Sequence, residues 1–148
     1  MPELLGHQFQ QRLATAFNRL QRITESQAEQ PTRESGWSGK QVAGHLIDSA
    51  VNNHYRFVRA ALDGSYEGPP YEQQGWVALH GYGELPWPEL LRLWRAHNDL
   101  LARTVERIPP GRLEAPCRIG DGESVSLEFL ITDYLDHLEH HLDQISAE

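Results

Sequence analysis

Between Asp133 and Ile145 the segment DYLDHLEHHLDQI repeats its apolar residues with helical period, and a helix with one apolar stripe must bury it against other elements. At about 100° per residue, Leu130, Tyr134 and Leu138 fall on one side, and His137 and His141 fall with them, four residues apart. Two imidazoles one turn apart on one face can ligate the same metal ion. His140 points about 60° away from His137, toward the rim, and Glu139 faces almost the opposite direction. The pair is half a metal site, and other parts of the chain must complete it.

Three further segments carry the same period. From Glu3 to about Glu29 the residues Leu5, Phe9, Leu13, Phe17, Leu20 and Ile23 predict a first long helix, ended by Pro31. WSGKQV is a helix start, with Ser38 as N-cap, Gln41 as its capping-box partner, and Trp37 and Val42 as a hydrophobic staple. That second helix runs to about Asp63, where Gly64 stops it. Trp87 to Ile108 is a third helix, with Leu90, Trp94, Leu101, Val105 and Ile108 inward and Pro109-Pro110-Gly111 as its stop. Ser126 caps the fourth, which continues to about Ser146. No segment reads as a strand, so residues 1–148 are expected to form a single all-α four-helix bundle domain.

Eight histidines are available to finish the site. His7, His54 and His80 fall at polar or loop positions and read as surface residues; His97 reads as a core or boundary residue of the third helix. His45 is different. It borders the core stripe of Val42, Leu46, Ala50 and Phe57, and it heads a polar run of Ser49, Asn52, Asn53 and Arg56. It also lies roughly 10 Å into its helix, while His141 and His137 lie roughly 8 and 14 Å before the end of theirs. The three rings come level only if the second and fourth helices are antiparallel. The second and third must then be parallel, joined by a connection that returns the length of the bundle. The glycine-, proline- and aromatic-rich stretch from Gly64 to Trp87 is long enough for that crossover, with a short helix expected at Gln74 to His80. The predicted order is up-down-down-up.

Charge narrows the function. With 13 basic against 21 acidic residues the net charge is −8, which works against a nucleic-acid or anionic-membrane surface role. Cys117 is the lone cysteine, which rules out a disulfide framework or a two-cysteine motif and leaves no evident base partner for it as a nucleophile. No run approaches a membrane span, and the first thirty residues lack the apolar core of a secretory signal, so a cytoplasmic location is expected. Glu-x-x-His, His-Glu-x-x-His and phosphate-cradling glycine motifs are absent, which removes the di-iron bundle, the zincin protease and the nucleotide-binding loop.

WSGKQVAGHLIDSAVNNHYRFVRAAL, then YEQQGWVALHGY, then DYLDHLEHHLDQI resembles the DinB/YfiT-like metalloenzymes, over nearly the whole chain and in the order that family shows. The resemblance implies a four-helix bundle. It also implies a divalent metal bound by one histidine of the second helix and the H-x-x-x-H pair of the last: His45, His137 and His141. It further implies chemistry that varies among relatives, from metal-dependent hydrolysis to transfer or isomerisation with a low-molecular-weight thiol.

Three imidazoles suit zinc, nickel or iron and leave a coordination position open, as catalytic centres do. Such a centre activates water for hydrolysis, or a thiol for transfer, against a small-molecule substrate. Asp48, one turn past His45, is expected to orient its ring by accepting an N–H, with a solvated carboxylate as the bland alternative. Asn53 and Arg56 are placed to hold an anionic substrate group, although Arg56 could equally sit in a surface ion pair. Trp76, Tyr71 and Tyr82 can wall the open face or pin the crossover to the bundle. Gln144 lies close in angle to His137. The rival reading is a non-catalytic metal-binding bundle acting as a sensor or a homodimeric interaction module.

Overall fold

The computed structural model describes residues 2–32 and 36–146. In chain order it has α1 (Pro2–Gln21), α2 (Glu25–Ala28), α3 (Gly39–Asp63), β1 (Tyr66–Gly68) and α4 (Gln73–His80). There follow α5 (Trp87–Glu106), β2 (Pro116–Ile119), β3 (Val125–Ser126) and α6 (Leu127–Ser146). The four long helices α1, α3, α5 and α6 make the bundle. Both α5 and α6 pack against α1 on one side and α3 on the other.

Pairs of touching residues give the directions. His97 bonds the backbone of Ala50 and the ring of His54, and His54 also reaches Thr104, so numbers rise together and α3 is parallel to α5. Gly39 lies against Ile145, His45 beside His141 and Phe57 against Tyr134, which makes α3 and α6 antiparallel. Gly6 meets Glu106 while Phe17 stacks on Trp94, so α1 opposes α5. Arg12 reaches Asp136 and Glu139, and Arg19 reaches Asp143, so α1 follows α6. The order is up-down-down-up, and the segment from Gly64 to Pro86 is the crossover.

Local chemistry places the boundaries. Ser38 and Gln41 form the expected reciprocal cap, and Gly64 closes α3 at φ 83°, a left-handed conformation that glycine adopts without strain. The first helix ends earlier than its apolar period suggests. Thr24 is extended and makes a second capping box with Gln27, which starts α2 and cannot coexist with a continuous helix. The strands are the other departure from the sequence reading. β1 pairs parallel with β2, and β2 antiparallel with β3, in a three-stranded sheet that clips the start of the crossover to the α5–α6 connection. These strands are too short for a period-two pattern to show.

The core runs the length of the bundle, with Trp94, Phe9, Phe57, Leu20, Leu90, Leu101, Leu127 and Ile131 fully buried. Burial of each such side chain contributes about 2 kcal/mol. Among the described residues no helix is long and apolar enough to cross a membrane.

His54, expected at the surface, is half-buried in the α3–α5 seam, with Nδ1 3.3 Å from His97 Nε2 and Nε2 3.1 Å from Thr104 Oγ1. A bond between two ring nitrogens requires one of them to be unprotonated, so the pair needs neutral imidazole. Burial pushes both rings below the ordinary histidine value. Below about pH 6.5 the unfolded chain takes up protons that the folded seam resists, so the seam's stability is complete above that pH and falls as acid is added. Urea unfolding at about pH 7.5 and about pH 5.5 is expected to show a larger loss for the wild type than for the H54Q/H97Q double variant. Equal losses would remove the pair from the pH dependence.

Candidate metal centre

The N-terminal cap of α3 fixes the register that brings His45 under the crossover. Its ring is 1% exposed, with Trp37, Tyr71 and His141 around it at ring-centre distances of 5.4, 6.5 and 4.7 Å. Burial pushes its pKa down to about 4, with a smaller push from the neighbouring His141 and His137. The imidazole is therefore neutral near pH 7, the form that can donate a lone pair to a metal. Its Nδ1 is buried without a hydrogen-bond partner, an uncommon and costly state. From α6, His137 and His141 bring their ring centres to 4.9 Å. His137 is exposed at the mouth and His141 is half-buried. Gln144, which the helical angle set near His137, instead places Oε1 3.4 Å from Nδ1 of His141.

The three rings fit a metal in position more than in present orientation. Among the described residues no group of three or more His, Cys, Asp or Glu side chains is set to hold an ion as it stands. A metal about 2.1 Å from each ligating nitrogen puts tetrahedral ring centres roughly 5 Å apart, which the two spacings above match. Rotation about a histidine's Cβ–Cγ bond redirects the nitrogens while leaving the ring centre almost in place, and that torsion is soft. Three neutral-type nitrogen donors with one orphaned and buried nitrogen are a donor set suited to a borderline ion.

Asp48 does not orient His45. Its Oδ1 accepts from Tyr82 Oη at 2.7 Å and from His80 Nδ1 at 3.0 Å, and Oδ2 is buried without a partner. Nor is it a solvated carboxylate, since it is fully buried, and burial raises its pKa against the opposing pull of Tyr82 and His80. Gly44 makes this possible: a Cβ there would run into the Tyr82 ring, which lies directly on the helix backbone. Tyr82 is thus the pin of the crossover, and His80, exposed as the sequence reading expects, joins it at the Asp48 carboxylate.

Beside the histidines a cavity of about 270 Å³ opens between α3, α6 and the crossover. His45, Ser49, Asn53 and Arg56 line its α3 wall; Leu130, Asp133, Tyr134 and His137 line the α6 wall; Pro70, Tyr71, Gln73 and Ile119 close it. Asn53 and Arg56 are where the sequence placed them. Trp76 is not: it stands behind Tyr71 and His80, with ring centres 5.5 and 5.8 Å away, and supports the roof without lining it. Tyr71 bonds Ser49, and its pKa is pushed up to about 12, by burial first and by the Asp48 charge second, so it keeps its proton. Asp133, one turn before His137, could have been found from the helical face; Ile119 comes from a strand with no visible signal.

Residues 8–145 match the DinB superfamily. The chain belongs to that family. It is 28% identical over 129 residues to "Putative metal-dependent hydrolase YfiT" of Bacillus subtilis, spanning 84% of this chain and 70% of that one. A "Putative metal-dependent hydrolase" of Oceanobacillus iheyensis is 27% identical over 125 residues, spanning 84% and 72%. The solved YfiT structure, described as having an unusual four-helix bundle topology, superposes with a TM-score of 0.84 at 23% identity over 96% of this chain and 84% of that one. The same fold recurs in a mycothiol-dependent maleylpyruvate isomerase, with a TM-score of 0.82 at 10% identity. All but 1% of this chain aligns there, yet it spans only 61% of the isomerase.

The Asp48–Tyr82 bond yields a direct prediction. Tyr82→Phe keeps the ring on Gly44 but removes a buried donor to a carboxylate, and should cost about 2 kcal/mol of stability in urea unfolding. A loss under about 0.5 kcal/mol would show that the crossover is pinned by ring packing alone.

Proposed function

We propose that this DinB superfamily member is a mononuclear metal-dependent enzyme, with His45, His137 and His141 holding one divalent transition metal ion such as zinc, nickel or iron. The observation that carries this reading is the gathering of three imidazoles from two antiparallel helices at the wall of a cavity. Relatives named as metal-dependent hydrolases support it. Bound there, the ion supplies a Lewis acid that activates water, giving a hydrolase, or a low-molecular-weight thiol, giving an S-transferase. The remaining work falls to the chain. Trp37 and Tyr71 keep water from the inner face of His45, and burial keeps that ring neutral. Gln144 steadies His141, and His137, exposed at the mouth, is the ligand beside which a small substrate enters.

Elemental analysis of the purified protein after chelation and reloading tests the site. About one metal ion per chain is expected, reduced at least tenfold in each of the His45→Ala, His137→Ala and His141→Ala variants, with helical circular dichroism retained. Full loading of all three variants would refute the ligand set. Once loaded, the protein assayed on small esters and amides with and without an added thiol separates the two chemistries.

A further inference from the structure

We infer that Arg56 receives a carboxylate of the substrate, so that the site takes a small monocarboxylic acid with its acid group held on α3 and its reacting end toward the histidines. The inference rests on the reading of the cavity as a substrate site. Arg56 and Lys40 are the buried cations among the described residues, at 9% and 3% exposure. Lys40 is neutralised by Glu25 and Glu29 at 2.9 and 3.2 Å. Arg56 faces the cavity and has no such partner among the described residues: it donates from Nη2 to the Pro69 carbonyl at 3.3 Å and forms no ion pair with any of them. A guanidinium has five N–H donors, and those of Arg56 that the Pro69 carbonyl leaves unused open onto the cavity. A ligand carboxylate meets such donors with two parallel bonds.

The rest of the wall fits such a ligand. On α3, Arg56 lies about 20° in helical angle from His45 and roughly 16 Å further along the axis. Its long side chain leans back toward the start of the helix, which shortens the span to the order of 10 Å, the reach of a chain of about five carbons. Pro70, Ile119 and Leu130 give that chain apolar contact. Asn53 is not a competing anchor, because its amide nitrogen already donates to the Ser49 carbonyl at 2.8 Å and hydroxyl at 3.3 Å. Asp133, exposed on the opposite wall, disfavours a second negative charge, which selects a carboxylate over a phosphate dianion.

The test is an NMR titration of the metal-free, ¹⁵N-labelled protein with pentanoate, pentanamide and inorganic phosphate. Pentanoate should bind about tenfold more tightly than pentanamide and than phosphate, and should shift the Arg56 Nε–H resonance. Arg56→Gln should remove the preference and Arg56→Lys keep part of it. Equal binding of acid and amide, a preference that survives Arg56→Gln, or no saturation of pentanoate by about 100 mM would overturn the proposal. Phosphate binding as tight as pentanoate would overturn the choice of a monocarboxylate. If Arg56→Gln fails to fold, the wild-type comparison and Arg56→Lys decide. The same titration on His137→Ala separates the two readings: acid preference persisting there supports the Arg56 assignment whether or not a metal binds, whereas metal binding without acid preference sinks this assignment alone.

Discussion

The parallel packing of α3 against α5 is the constraint on which the rest of the structure depends. Parallel neighbours place two helix N-termini, each with a partial positive charge, side by side. Glu25 answers both. Its carboxylate pairs with Lys40 in the first turn of α3 and accepts the backbone N–H of Trp87 at the start of α5, 3.3 Å away. That bonding holds the Glu25 carboxyl below its usual range. The same packing forbids a short turn between the two helices. The chain must travel back along the bundle, and on that return it covers the α3–α6 groove. A solvent-open groove with two histidines on its rim becomes a walled cavity because of how the helices are ordered.

Polar groups on α3, at the cavity and behind it, are maintained at a cost in stability. His45 Nδ1 and Asp48 Oδ2 are both buried with nothing to bond, three residues apart on one helix. Arg56 lies two turns further on, bonded to the Pro69 carbonyl and otherwise facing the cavity. A chain optimised for folding alone would fill these positions with apolar side chains. The indole nitrogens of Trp87 and Trp94 on α5 are buried without partners as well, so what distinguishes the α3 groups is that His45 and Arg56 line the cavity.

Much of this was legible in the sequence. The second and fourth helices, the Ser38–Gln41 cap and the Gly64 stop follow from local rules. The helix order followed from one non-local requirement, that three histidines come level. What escaped depended on contacts that no local pattern encodes. Thr24 and Gln27 carry the same signature as Ser38 and Gln41, yet the apolar period of the first segment ran past them and masked it. The three strands are too short to declare themselves. Asp48 was expected to serve His45 because it is one turn away, but Tyr82 and His80, more than thirty residues on, take its carboxylate. Proximity along a helix bounds which groups can meet; the tertiary partner decides which do.

The segment that roofs the cavity is fastened at both ends. At one end β1 is laced into the sheet and the Gly68 carbonyl accepts the Gly120 N–H at 2.7 Å; at the other, Tyr82 is bonded to Asp48 on α3. A flap swings about one hinge, whereas a span with two abutments can only bow. The walls of the chamber beneath it are thus tied by protein contacts at both ends, so a ligand binding there would lose little energy to ordering them. On the function proposed above, a substrate would enter by the open side at His137, and its passage would not wait on the slow opening of a hinged lid.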